Sequence, residues 1–79
     1  MRLDKYLKVS RLIKRRTVAN EACDAGRVTI NGKVARASQP VKEGDRITIL
    51  FGTKEVSVEV LKVEESVRKE DTGEMYRVI

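Results

Sequence analysis

Residues 17–34 read Thr17-Val18-Ala19-Asn20-Glu21-Ala22-Cys23-Asp24-Ala25-Gly26-Arg27-Val28-Thr29-Ile30-Asn31-Gly32-Lys33-Val34, and within them the apolar period drops from 3.6 to 2. Up to Ala25 the spacing predicts a helix over 17–25, with Thr17 at the N-cap and Gly26 just past the C-terminus. Val18, Ala19, Ala22, Cys23 and Ala25 share one broad arc, and Asn20, Glu21 and Asp24 share the other. Side chains this small imply that another element, most simply a first helix, packs close against this one. After Gly26, Val28 and Ile30 alternate with polar neighbours, and Asn31-Gly32 predicts a type I′ hairpin turn with Val34 opening the return strand.

Towards the N-terminus, residues 2–11 predict another helix, with Leu3, Tyr6, Leu7 and Ser10 in an arc of about 100°. Residues 12–16 connect the two helices, with Leu12 and Ile13 turned inward. Towards the C-terminus, Pro40 ends the return strand and Lys42-Glu43-Gly44-Asp45 makes a turn. Ile47, Ile49 and Phe51 then face a core, followed by Val56, Val58 and Val60 in a strand over 55–63. Residues 64–74 read as an exposed charged loop, and Met75–Ile79 as a last strand. The expected class is α+β: two N-terminal helices packed on a small, mostly antiparallel twisted sheet. At 79 residues there is room for one small domain, 1–79, with a core over about 1–60 and an acidic extension over 61–79.

Composition removes most chemistries. With no His and one Cys, zinc sites, disulfide frameworks and Ser/His or Cys/His nucleophiles have no residues to build them. Glu64-Glu65 and Glu70-Asp71 are adjacent acids in a polar stretch, and nothing near them in sequence raises a carboxylate into the acid–base range. Cys23 lies beside Ala19 and Ala22 and reads as a small core residue. The five glycines are scattered through turns, so no phosphate loop is formed. No apolar run approaches the ~20 residues of a membrane span, and Met1-Arg2-Leu3-Asp4-Lys5 turns polar too soon for a secretory signal. The expectation is a cytoplasmic, non-enzymatic protein that uses no cofactor or metal.

Charge is the positive signal. The chain carries 17 Lys+Arg against 12 Asp+Glu, a formal +5, but residues 1–36 hold net +7 and residues 37–79 net −2. Arg2, Lys5, Lys8, Arg11, Lys14, Arg15 and Arg16 face Asp4 as their single acid. A solvated helix face ordinarily mixes both signs, and like charges at i,i+4 cost roughly 0.2–0.5 kcal/mol per pair. A polyanion would relieve that repulsion. The three aromatics, Tyr6, Phe51 and Tyr76, do not make a stacking platform, which favours readout of phosphates and shape over base stacking. The footprint expected is the first helix and the start of the second, flanked by Arg27, Lys33 or Arg36.

These residues resemble a known family. Arg2-Leu3-Asp4-Lys5-x-Leu7, then Arg11 and Arg15-Arg16, then Gly26-Arg27-Val28-x-Ile30-Asn31-Gly32, then Gly44-Asp45-x-Ile47, are together similar to the S4-type RNA-binding domain over about residues 1–60. The resemblance implies the S4-like (alpha-L) fold. It is nearest to the short stand-alone bacterial members related to the small heat-shock S4 protein. The chain lacks that protein's long basic C-terminal extension, so the stand-alone ribosome-quality-control type is expected. The likeness implies a monomer bound to 23S rRNA of a 50S subunit obstructed by peptidyl-tRNA. There it would steady a P-site-like tRNA while a NEMF-family factor (RqcH type) supports alanine tailing. Carried over by motif, Arg2 and Arg16 are the first contacts, Arg11 and Arg15 the next, and Lys5, Lys8 and Lys14 supporting cations, with Arg27 at the flank of the footprint. Asp4 also matches the family pattern and has two readings: an i,i+4 pair with Lys8, or the orienting acid that holds Arg16 or another arginine in a phosphate-gripping pose. Two other readings stay open: an RNA-binding accessory to a separate rRNA- or tRNA-modifying enzyme, and a basic protein-interaction domain.

Overall fold

The computed structural model describes residues 1–64 and 75–79. Two helices, α1 (Leu3–Val9) and α2 (Arg16–Asp24), lie on one face of a sheet of β1 (Val28–Ile30), β2 (Lys33–Val34), β3 (Arg46–Phe51), β4 (Lys54–Val60) and β5 (Tyr76–Val78). The strand order is β2-β1-β3-β4-β5, with every pair antiparallel. Glu64 is exposed, whereas its neighbour Glu65, the pair Glu70-Asp71 and the rest of the expected 64–74 loop fall outside the described residues.

The junction between helix and sheet follows the sequence closely. Gly26 adopts φ +75, its N–H donates to the Cys23 carbonyl, and the Arg27 N–H donates to the Ala22 carbonyl. Those two bonds make a Schellman cap, which needs a left-handed residue at this position. Asn31 and Gly32 both take positive φ, 53 and 83, as a two-residue type I′ turn requires. The Asn31 amide donates to Asp45 Oδ1 at 3.1 Å and its Oδ1 accepts the Arg46 N–H at 3.0 Å. The hairpin tip is therefore clasped to the 42–45 turn.

Several expectations need correction. Helix α1 ends at Val9 rather than residue 11, because the Ser10 hydroxyl donates back to the Leu7 carbonyl and Arg11 turns left-handed at φ 65. Thr17 caps nothing: α2 starts one residue earlier, with extended Arg15 as its N-cap and no side-chain cap. The buried stripe of α2 is narrower than the apolar arc. Ala19 and Cys23 are buried, but Val18 is 47% exposed and Ala25 is exposed. Phe51 is 42% exposed, at the end of β3 beyond the helices, while Ile47 and Ile49 are fully covered. The return strand is only two residues long. Beyond it, residues 35–41 drape back over the core, burying Ala35, Ala37 and Val41.

This drape fixes the start of the chain. The Leu3 N–H donates to the Gln39 carbonyl at 2.8 Å, Asp4 N–H to Ala37 O at 3.1 Å, and Val41 N–H to Met1 O at 2.9 Å. Arg2 pairs with Pro40 in an isolated antiparallel bridge. The other end is held from below, where the buried Tyr6 hydroxyl donates to the Met75 carbonyl at 2.7 Å. Burial pushes that phenol well above its usual titration range, with the nearby Tyr76 adding to the shift.

Candidate nucleic-acid interface

Asp4 is the centre of the site. It is 2% exposed, in the first turn of α1, where its Oδ1 accepts the Lys5 N–H at 2.8 Å. Arg2 lies against it with Nε 3.2 Å from Oδ1 and a terminal nitrogen 3.3 Å from Oδ2. From the first turn of α2, Arg16 brings its Nε to 3.4 Å and Asn20 its amide nitrogen to 3.4 Å from Oδ2. Burial disfavours the ionised carboxyl, but hydrogen bonds from Asn20, Arg16 and the Lys5 N–H, together with the Arg16 charge, outweigh it. Asp4 therefore titrates below its usual range.

The two arginines are held but not hidden. The side chains of Arg2 and Arg16 are 51% and 45% exposed. One buried carboxylate thus sets the position of two guanidinium groups, drawn from opposite ends of a 14-residue separation, whose outer N–H groups stay in solvent. Paired arginines in fixed pose are suited to phosphate, which accepts from the planar fork. Of the two readings of Asp4 left open by the sequence, the carboxylate meets the arginines; among the described residues Lys8 makes no ion pair.

Around this pair, Lys8, Arg11, Lys14 and Arg15 are exposed and Lys5 is half-buried. Arg15 and Arg16 stand at the start of α2, whose first turn contains no acid, so its free N–H groups add to the positive field there. Arg27 sits at the other end of α2, roughly 13 Å along the helix, and the structure does not bring it to the Arg2–Arg16 pair. Among the described residues no group of three or more His, Cys, Asp or Glu could hold a metal, and no helix is long and apolar enough to cross a membrane.

Sequence reasoning missed Asn20, which it placed on the outward arc. The available signal was its i+4 spacing from Arg16, which puts both on one face. Burial raises the Cys23 thiol to about 11, with Asp4 and Asp24 contributing, consistent with a core thiol rather than a nucleophile.

The S4 domain family matches residues 1–47. The chain is 60% identical over 78 residues to the RQC P-site tRNA stabilizing factor of Halalkalibacterium halodurans, covering 99% of this chain and 89% of that protein. It is 53% identical to the factor of the same name from Bacillus subtilis, over 100% of this chain and 92% of the other. Among solved structures, Heat Shock Protein 15 of Vibrio cholerae, described as trimeric, superposes with a TM-score of 0.93 at 31% identity, covering 100% of this chain and 81% of that one. With the sheet order, the helix pair and the Arg2–Asp4–Arg16 cluster all in place, the chain belongs to the S4-domain family, within the group of RQC P-site tRNA stabilizing factors.

Proposed function

We propose that this protein is a non-catalytic RNA-binding factor of ribosome-associated quality control, working in the cytoplasm on the ribosome. It binds the 50S subunit and its peptidyl-tRNA as a monomer, spanning 23S rRNA and tRNA. By neutralising phosphates from both it favours one P-site-like tRNA placement. A NEMF-family (RqcH type) factor on the same particle then supports alanine tailing of the stalled chain. The names of the relatives support the pathway and the tRNA. The observation that carries the mechanism is the buried Asp4 carboxylate gripping two half-exposed arginines. A preformed grip orders little on binding, so most of the phosphate interaction appears as affinity.

Arg2 and Arg16 are the main contacts, Arg11 and Arg15 the next, and Lys5, Lys8 and Lys14 extend the field. Arg27, at the far end of α2, would meet a separate stretch of RNA. If four to six phosphates are neutralised, log K against log salt falls with a slope of roughly −3 to −5. The test is co-sedimentation with 50S particles carrying tRNA across a salt series. Arg2→Ala and Arg16→Ala should each weaken association sharply and flatten the slope. Salt-independent binding, or retention of both variants on the subunit, would sink the reading. Recovery of a modifying enzyme instead of tRNA-bearing subunits would favour an accessory-module role.

A further inference from the structure

A second groove, lined in part by Arg2, lies between the C-terminal half of α2 and residues 34–38. Its rim carries Arg2, Arg36, Ser38 and Asp24, and its floor includes Cys23, Ala35 and Ala37. The floor residues are all buried and small. Backbone bonds from Leu3 to Gln39 and from Asp4 to Ala37 lock the draped segment to the start of the chain, so Arg2 and Arg36 keep their places beside one another at the groove. Arg36 and Asp24 are both exposed, and among the described residues neither has an ion-pair partner.

The charges do not suit a bare phosphate. Two guanidinium groups attract it, but Asp24 and the negative end of α2 repel it on the other side. A ligand that pairs an anion with a neighbouring hydroxyl donor fits both halves. In RNA the 2′-hydroxyl provides that donor next to the phosphate, and DNA lacks it. The small apolar floor leaves room for the carbon face of the sugar.

We infer that this groove is a ribose–phosphate site for an RNA strand, in which Arg2 and Arg36 hold phosphate and Asp24 accepts the 2′-hydroxyl. Asp24 is thereby the residue that separates RNA from DNA. This rests on the RNA-binding reading above and adds a second strand contact to it, with Arg2 shared between the two sites.

The experiment uses the full chain with an RNA stem–loop and its all-deoxy counterpart, titrated across a salt series. Asp24→Ala should improve binding of the deoxy stem–loop more than that of the RNA, narrowing the RNA preference at least threefold. Arg36→Ala should weaken both probes and flatten the salt slope by about 0.7–0.9, with Arg36→Lys restoring most of the slope. Both residues are exposed, so unchanged melting curves verify that the fold is kept. An RNA:DNA ratio unmoved by Asp24→Ala, or affinities unmoved by Arg36→Ala, overturns the groove. If those variants are silent while Arg2→Ala and Arg16→Ala weaken RNA binding, the groove alone fails. If the wild-type chain shows no salt-dependent RNA binding, the broader function fails first.

Discussion

Asp4 shows how one buried side chain changes the meaning of its neighbours. From sequence, Arg2 and Arg16 are surface cations that contribute little to folding; in the fold both lean on a carboxylate that is 2% exposed. Each single alanine variant should lose less than about 1 kcal/mol, because the guanidinium groups are half in water and the other partners remain. The double variant leaves Asp4 buried with Asn20 and one backbone N–H. It should therefore lose more than the two singles combined, with a coupling of about 0.5–3 kcal/mol in denaturant unfolding. Additive losses would show that the carboxylate does not link them. The same group sets an acid limit. Its folded pKa is depressed, so its stabilisation is present above the unfolded carboxylate value of about 4 and is lost as pH falls through the lowered folded value. Asp4→Asn should flatten the stability–pH curve in that acid range.

At the scale of elements, the two helices end in opposite ways. Gly26 closes α2 at φ +75 with open space where a Cβ would go, so Gly26→Ala should cost about 1–2 kcal/mol from the backbone alone. Arg11 closes α1 at φ 65, where glycine would be the easier residue. Arg11→Gly is therefore expected to leave the melting temperature unchanged or slightly raised while weakening RNA binding. A fall in both would mean that Arg11 serves the fold. The glycine cap and the Asn31-Gly32 turn were legible because each rests on a local dihedral requirement. The start of α2 was not, because no capping side chain fixes it. Arg15 enters extended, at φ −119, and a tertiary ion pair from Arg16 to Asp4 holds the first turn.

Across the whole molecule, contacts distant in sequence hold the basic face in place. Tyr6 reaches from α1 to the Met75 carbonyl next to β5. Tyr6→Phe should cost about 0.5–1.5 kcal/mol in chemical denaturation, the net worth of one hydrogen bond, because the Met75 carbonyl still accepts from the Leu61 and Lys62 N–H groups. A silent Tyr6→Phe would show that the strand is held by its ladder to β4 and by packing, without help from the hydroxyl. Cys23 reports on the same core. It is 3% exposed and its thiol is raised to about 11. Alkylation at neutral pH should be slow and should speed up in step with global unfolding. Rapid labelling under native conditions would show that α2 lifts off separately.

Local chemistry alone determined the change from helical to strand period at Gly26, the type I′ hairpin, the inward faces of α1, β3 and β4, and the concentration of cations in the first sixteen residues. Each depends on side chains a few positions apart, where backbone geometry fixes the spacing. Tertiary structure decided the rest. Periodicity tells which side of a strand or helix a residue is on, but not how far the opposing layer extends, so Val18 and Phe51 are on apolar faces yet remain partly in water. Nor does it tell which charged residues will meet. Arg2, Asp4, Arg16 and Asn20 converge because α1 and α2 pack side by side, and Arg36 joins Arg2 because residues 35–41 fold back along the start of the chain. Burial of one carboxylate at that meeting point turns a run of positive charge into a site with fixed geometry.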